Sequence, residues 1–356
     1  MDTFIIAVLS ISIFFLSYSW FLAISRNTLP KVPSFFSFIK QPVSPVLVLG
    51  SIFLLIIYFM FQTQTDAIIP LPIYTPILFI LSCFVFLGLS KHIHSNKIQY
   101  LILLAIALLN TLFLPSEINI TEGLIPPLAE KIILALIWSL FAFMYFTLNG
   151  VEGIVSLQSL SVCLGLMVLF AIGMLPTLSG FYYCLYIALF VALMFFTEFP
   201  TKITLSTDDC RIIGFIIGWL GILATLEGCG SCFIILSMYY IYETCLALLK
   251  RISPQPQFKI LTNNTFYARL ADAGISPQNI CRFISRINLV MIFLACFQIY
   301  APNNYTIIIV SVFMIFWMIT KVTSSKDVPQ RLLLTSSLIA LMKKNKNSSS
   351  KKTNEE

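Results

Sequence analysis

The sequence predicts an all-α, polytopic integral membrane protein with about eleven transmembrane helices, its N-terminus outside and its C-terminus in the cytoplasm. Three observations carry that prediction. First, 58% of the 356 residues are apolar and only 10% are charged, with a mean hydropathy of +0.93. A soluble domain carries roughly 25% charged residues, so this chain lacks the charge to cover a water-facing surface. Second, the apolar residues fall in long, non-alternating runs near the ~20 residues that a bilayer-spanning helix needs. Such runs exclude a closed β-barrel, whose strands alternate. Third, the basic residues are unevenly distributed between the loops.

The predicted spans are 3–24, 44–63, 74–90, 98–115, 131–148, 154–175, 179–197, 211–227, 231–250, 282–300 and 304–320. The first has no basic n-region and is longer than a cleaved signal's apolar segment. With the N-terminus outside, the inside loops hold Arg26, Lys31 and Lys40, then Lys91 and Lys97, then Lys202 and Arg211. Next come Lys250, Arg251, Lys259 and Arg269. Arg282 and Arg286 fall in the first turns of the tenth span, and eight more basic residues follow from Lys321 to Lys352. Only Lys131 is left outside, at a helix start, which is the positive-inside asymmetry. The net charge of +7 therefore reports topology and a basic tail, not a nucleic-acid partner. Residues 1–322 read as one membrane domain, and 323–356 as a basic, disordered cytoplasmic tail beside the lipid headgroups.

Most of the nine cysteines are scattered through the spans as small core residues. Cys229 and Cys232, in Cys-Gly-Ser-Cys at an outside turn, could form a disulfide in an oxidising compartment. No βαβ pattern surrounds them, which argues against a thioredoxin-like role. His92 and His94 share one inside loop and are too few for a zinc site. The outside loops are short except 116–130, with Pro126-Pro127 and three glutamates, while 198–210 and 251–281 are the notable inside loops.

The chemistry-bearing residues lie on the inside loops. Residues 148–154 read Leu-Asn-Gly-Val-Glu-Gly-Ile, and 199–203 read Phe-Pro-Thr-Lys-Ile, continuing through Asp208-Asp209 to Ile213-Gly214-Phe215. The first stretch resembles the Met-Asp-Gly-Ile-Asp-Gly-Ile signature of the polyprenyl-phosphate N-acetylhexosamine-1-phosphate transferases. That superfamily includes the enzymes that initiate O-antigen synthesis and the phospho-N-acetylmuramoyl-pentapeptide transferase. The second stretch is similar to the family's Pro-Ala-Lys-Ile-Phe-Met-Gly-Asp-x-Gly-Ser segment and the Gly-Phe beyond it. Weaker matches follow the same order: Lys91 to Gln99, Tyr240 to Arg251 with Glu243 at an acidic position, and Phe266 to Phe283. The resemblance spans residues 80 to 300.

The resemblance implies transfer of a sugar-1-phosphate from a UDP-sugar to polyprenyl phosphate at the inner (cytoplasmic) membrane, with Mg²⁺ or Mn²⁺ as cofactor. Mg²⁺ prefers carboxylate oxygens, and phosphoryl transfer is largely positioning plus charge neutralisation. The candidate catalytic and metal-binding residues are Glu152, Asp208 and Asp209; the candidate substrate-binding residues are Asn149, Lys202, Glu243, Arg282 and Arg286. Several family groups are replaced: the Asp-Asp pair falls on Leu89 and Ser90, an Asp on Asn149, the Gly-Asp on Ser206-Thr207, and the histidines on Thr262 and Thr265. No glycine precedes Gly50, where a Gly-rich loop is expected.

Each candidate also has a structural reading. Glu152 and Glu243 would be helix-end charges. Asp208 and Asp209 would cap the eighth span. Lys202 would be a positive-inside lysine, and Arg282 and Arg286 would snorkel to headgroups. The alternative function is a non-catalytic relative that binds lipid phosphate or a partner in glycan assembly. A transporter or channel is disfavoured by the near absence of ionisable residues at mid-span. The oligomeric state stays open, a homo-oligomer included.

Overall fold

The computed structural model describes residues 74–90, 95–114, 125–149, 153–172, 205–252, 275–300 and 305–323, with Ile93, Phe181, parts of 184–195, Phe266 and Leu270. The spans expected at 3–24 and 44–63, and the tail, lie outside the described residues. Among the described residues there is no strand.

Nine α-helices are defined within these residues: α1 (Tyr74–Ser90), α2 (Asn96–Leu112), α3 (Pro127–Met144), α4 (Ile154–Ala171), α5 (Thr207–Leu226), α6 (Gly230–Leu236), α7 (Met238–Ile252), α8 (Pro277–Tyr300) and α9 (Thr306–Thr323). A 3-10 turn, Tyr145–Leu148, extends α3. Four segments are long and apolar enough to cross a bilayer: Pro127–Leu148, Ile154–Ala171, Thr207–Leu226 and Pro277–Tyr300. The chain is thus a helical membrane protein.

The helix boundaries have local causes. Pro127 opens α3 at N1, where its missing N–H is no loss. Gly153, at φ 82°, supplies the left-handed residue ahead of α4. α5 ends in a Schellman motif: Cys229 N–H donates to Ala224 O (2.7 Å) and Gly228 N–H to Thr225 O (3.0 Å). Gly228 occupies the required left-handed position at φ 80°. Lys131, the one basic residue expected outside, donates from Nζ to Leu112 O (3.2 Å) and Leu114 O (2.6 Å). Its cation therefore satisfies unpaired carbonyls at the C-terminal end of α2.

α5 is the central helix. Its apolar window is 83% buried, against 39–56% for the other three candidate spans. Burial on all sides requires neighbours to come close, and three glycines permit it. A Cβ at Gly214 would meet Tyr145 Cγ at 2.7 Å and Ala142 Cα at 3.1 Å, and one at Gly218 would meet Trp138 Nε1 at 2.7 Å. Gly221 leaves room for the Phe233 ring of α6. Around this seam Phe79, Trp138, Phe215 and Trp219 stack, with Trp138 and Phe215 centroids 4.1 Å apart. Trp138 Nε1 donates to the Phe215 carbonyl at 2.9 Å. Since lipid is as apolar as a protein core, such packing and hydrogen bonding hold helices together in place of the hydrophobic effect.

Neutral polar pairs join the remaining helices. Asn110 Nδ2 donates to Ser82 Oγ (2.8 Å), joining α2 to α1, and Asn288 Nδ2 to Ser161 Oγ (3.1 Å), joining α8 to α4. The run predicted as one span at 231–250 is two helices, α6 and α7, that break at Ser237. The buried Gln158 donates from Nε2 to Leu236 O at 3.3 Å, satisfying a carbonyl at the break.

The glycine seam makes a measurable prediction. Gly214→Leu should lower the unfolding temperature in detergent, at a cost of roughly 1–3 kcal/mol or more as for an overpacked core, because the obstructing atoms are the Ala142 backbone and the root of the Tyr145 side chain rather than a free side-chain end. Gly88→Ala, where a Cβ meets nothing within 4 Å, should leave it unchanged or slightly higher.

Candidate functional site

The described parts of several segments singled out in the sequence meet at one end of the bundle. The C-terminal ends of α1 and α3 lie there with the first turns of α2 and α5. At their centre is Arg211, in the second turn of α5 and only 2% exposed. Its Nη1 donates to Asp208 Oδ1 at 3.2 Å and closely to Gln99 Oε1, and its Nη2 to Asn96 Oδ1 at 2.9 Å. The guanidinium carbon sits over the rings of Phe143 (4.6 Å) and Phe146 (5.2 Å). Phe143 lies in the last turn of α3 and Phe146 in the 3-10 turn; residues three apart lie on one helical face, so both rings reach the same guanidinium. Among the described residues Arg211 Nε has no hydrogen-bond partner.

Gln99 extends the cluster into the loop after α1. Its Nε2 donates to Ile93 O (2.7 Å), Ser90 O (3.3 Å) and Asp208 Oδ1 (3.4 Å). One amide thus binds the end of α1, the following loop and the start of α5. Asn149, exposed at the end of the 3-10 turn, donates from Nδ2 to Leu205 O at 2.9 Å. Thr147 and Thr244 share a hydrogen bond of 3.3 Å, joining the turn to α7. Glu243 on α7 is fully buried; its carboxylate accepts from Phe266 N–H (3.0 Å to Oε2, 3.2 Å to Oε1) and from Tyr239 OH (3.3 Å).

The two aspartates of α5 have different tasks. Asp209 is buried and completes a capping box: its Oδ2 accepts from Ser206 N–H (3.1 Å) and Ser206 Oγ (2.6 Å), while Ser206 Oγ accepts from Asp209 N–H (3.1 Å). This is the capping role available at a helix N-terminus. Asp208, 24% exposed, pairs with Arg211. Among the described residues, no three His, Cys, Asp or Glu side chains come together as a metal site. These donors do not by themselves fit a divalent cation, because their oxygens already serve an ion pair, a cap and a backbone amide.

Of the other expected site residues, Glu152 and Lys202 lie outside the described residues, as do His92 and His94. Arg282 and Arg286 are exposed on α8 and make no hydrogen bond or ion pair with the cluster. Leu89 is exposed, and Ser90 is buried. Cys229 and Cys232 are free thiols at the start of α6. A hydrogen bond with Cys232 holds the Cys229 thiol below its ordinary pKa, against burial and the nearby Glu227, which raise it.

Sequence reading missed Arg211, Gln99 and Asn96 as a unit. A signal was present: Arg211 opens an apolar run, three residues after Asp208, which is ion-pair spacing on one helical face.

Comparison with protein-family models finds no match, and no curated protein matches the chain.

The cluster predicts an asymmetry between its charged members. Asp208→Asn strands a buried cation and should cost on the order of 3 kcal/mol, the low end for breaking a buried pair because Asp208 is partly solvated. Arg211→Gln leaves a carboxylate that water can reach, so it should unfold at a higher temperature than Asp208→Asn in thermal denaturation. Equal losses would refute the assignment of Arg211 as the more deeply committed partner. Ser206→Ala should cost about 1 kcal/mol through the lost cap.

Proposed function

We propose that this chain is an inner-membrane protein of the glycosyl-1-phosphate transferase type, with about eleven spans, an outside N-terminus and a cytoplasmic C-terminus. In that reading it handles a polyprenyl phosphate and a UDP-sugar of the N-acetylhexosamine class in cell-envelope glycan synthesis. One observation carries the proposal. The segments that resemble family motifs, far apart in sequence, gather at one end of the bundle through Gln99, Asn149, Thr147, Arg211 and Glu243. A lipid phosphate and a soluble nucleotide can meet only at a membrane surface, so a site assembled from loop ends at one end of the helices suits this substrate pair. The basic residues of 91–97 and 202–211 favour placing that end in the cytoplasm.

A second reading is a non-catalytic relative that binds lipid phosphate or a partner in glycan assembly. It is favoured by the commitments of the acids. Asp209 is held in a cap, Asp208 by a guanidinium and Glu243 by a backbone amide. A reacting group displaced by about 1 Å can lose on the order of a hundredfold in rate, and here the carboxylates are engaged elsewhere.

Release of UMP separates the two. Purified protein would be given undecaprenyl phosphate, Mg²⁺ or Mn²⁺ and a panel of UDP-N-acetylhexosamines, with Glu152→Gln and Asp208→Asn alongside. Cation-dependent release that either substitution reduces by tenfold or more supports the transferase reading. No release from protein shown to be folded by its thermal transition rejects it for those sugars and leaves the non-catalytic relative.

A further inference from the structure

α8 has two unlike faces. Ile280, Ile284, Ile287, Asn288, Met291 and Ala295 are buried against the bundle. The opposite face carries Arg282, Arg286, Leu289, Phe293, Phe297 and Tyr300, spaced four or three residues apart and so aligned in one stripe. All six are exposed, and the four apolar or aromatic ones are between 51% and 71% accessible. In a membrane protein an exposed apolar stripe of this kind suits a position against lipid.

The dimensions of the stripe match one bilayer. From Arg282 to Tyr300 the helix rises about 27 Å at ~1.5 Å per residue, close to the ~30 Å hydrocarbon core. Tyr300 at one boundary suits the interfacial preference of aromatic rings. Arg282 then stands at the other boundary, and Arg286 one turn deeper, about 6 Å into the lipid side.

Two cations there need a counter-charge. α8 itself contains no Asp or Glu. Among the described residues neither arginine has an ion-pair or hydrogen-bond partner, the only salt bridge being Arg211–Asp208. A guanidinium presents a planar fork of donors that matches phosphate oxygens. Below it, Phe293 and Phe297 meet edge to face at 4.9 Å and form an apolar ridge.

We propose that this stripe is a binding site for an anionic phospholipid of the bilayer, with its phosphate bridging Arg282 and Arg286 and an acyl chain lying on Leu289, Phe293 and Phe297. The charge complementarity selects an anionic headgroup over a zwitterionic one, and the length of the stripe selects a lipid over a soluble anion. This assigns the two arginines to bilayer lipid rather than to the sugar-phosphate cluster, and it holds whether or not UMP is released.

The test uses the full-length protein in nanodiscs of phosphatidylcholine alone or with phosphatidylglycerol. Lipids retained after release into detergent are counted by native mass spectrometry. Wild type and Lys97→Gln, which removes an exposed cation of α2, should retain phosphatidylglycerol over phosphatidylcholine by about tenfold. Arg282→Gln/Arg286→Gln should retain the two equally, and Arg282→Lys/Arg286→Lys should fall between. Undiminished preference in the double Gln variant overturns the proposal. A measurement on wild type alone guards against a variant that fails to fold: a phosphatidylglycerol with a photoreactive acyl chain should crosslink within residues 289–297 of α8. Crosslinks spread evenly over the exposed helices would overturn it equally.

Discussion

The burial of one guanidinium constrains this end of the molecule. Arg211 is nearly inaccessible, in the second turn of the helix around which the bundle is built. An arginine cannot discharge its proton to escape burial, so the surroundings must compensate the charge. They do so with one carboxylate, two side-chain amide oxygens and two aromatic faces. Each desolvated cation–π contact is worth about 2 kcal/mol or more at best, and the ion pair recovers only part of the desolvation cost. The arrangement therefore contributes specificity more than net stability. The partners come from α2, α3, the 3-10 turn and α5, so the charge is satisfied only when these parts are in register.

Further from this cluster the physics changes. Beyond Arg211, α5 has no charge to satisfy, and its apolar side chains gain little by leaving lipid for protein. What remains is close contact, and Gly214, Gly218 and Gly221 provide it on faces where any side chain would collide. The stacked rings of Phe79, Trp138, Phe215 and Trp219 fill the space beside the seam. Interhelical hydrogen bonds such as Asn110–Ser82 and Asn288–Ser161 then fix rotation about each helix axis, at about 0.6 kcal/mol apiece. Among the described residues Asn110 and Asn288 each keep an unpartnered Oδ1. That energy is left unclaimed in a neutral group, which a bilayer tolerates far better than an unpaired charge.

These two regimes explain what could be read from the sequence. Apolar runs report where lipid must be, so the helices at 74–90, 98–115, 131–148, 154–175 and 282–300 were legible to within a few residues. The capping role of Asp209 was legible too, because Ser206 and Asp209 stand at capping-box spacing before an apolar run. The break at Ser237 was not, since its cause is tertiary: Gln158, from another helix, satisfies the carbonyl at the break. Arg211 was read as one more cytoplasmic cation because a basic count does not register depth. Recognising it needed the spacing to Asp208, together with the unlikelihood of a lone arginine four residues into a buried helix. Lys131 had the opposite fate: an exception to the charge rule became ordinary once the carbonyls ending α2 were seen beside it.

The same bonds that assemble the candidate site restrict what it can do. A carboxylate can serve a cation or a guanidinium with a given oxygen, but not both at full strength. Asp208 gives Oδ1 to Arg211 and Gln99, and Asp209 gives Oδ2 to the cap of α5. Freeing Asp209 would unmake a helix start, and freeing Asp208 would leave Arg211 without its counter-ion. Glu243 is equally tied, since its carboxylate receives the amide of Phe266. Catalytic acids are normally held by neighbours that leave one oxygen directed at the substrate. Of Asp208, Asp209 and Glu243, only Asp208 has part of its surface open and meets that description. Among these three acids Asp208 alone keeps access to solvent, and Arg211 sets how much of its charge remains available.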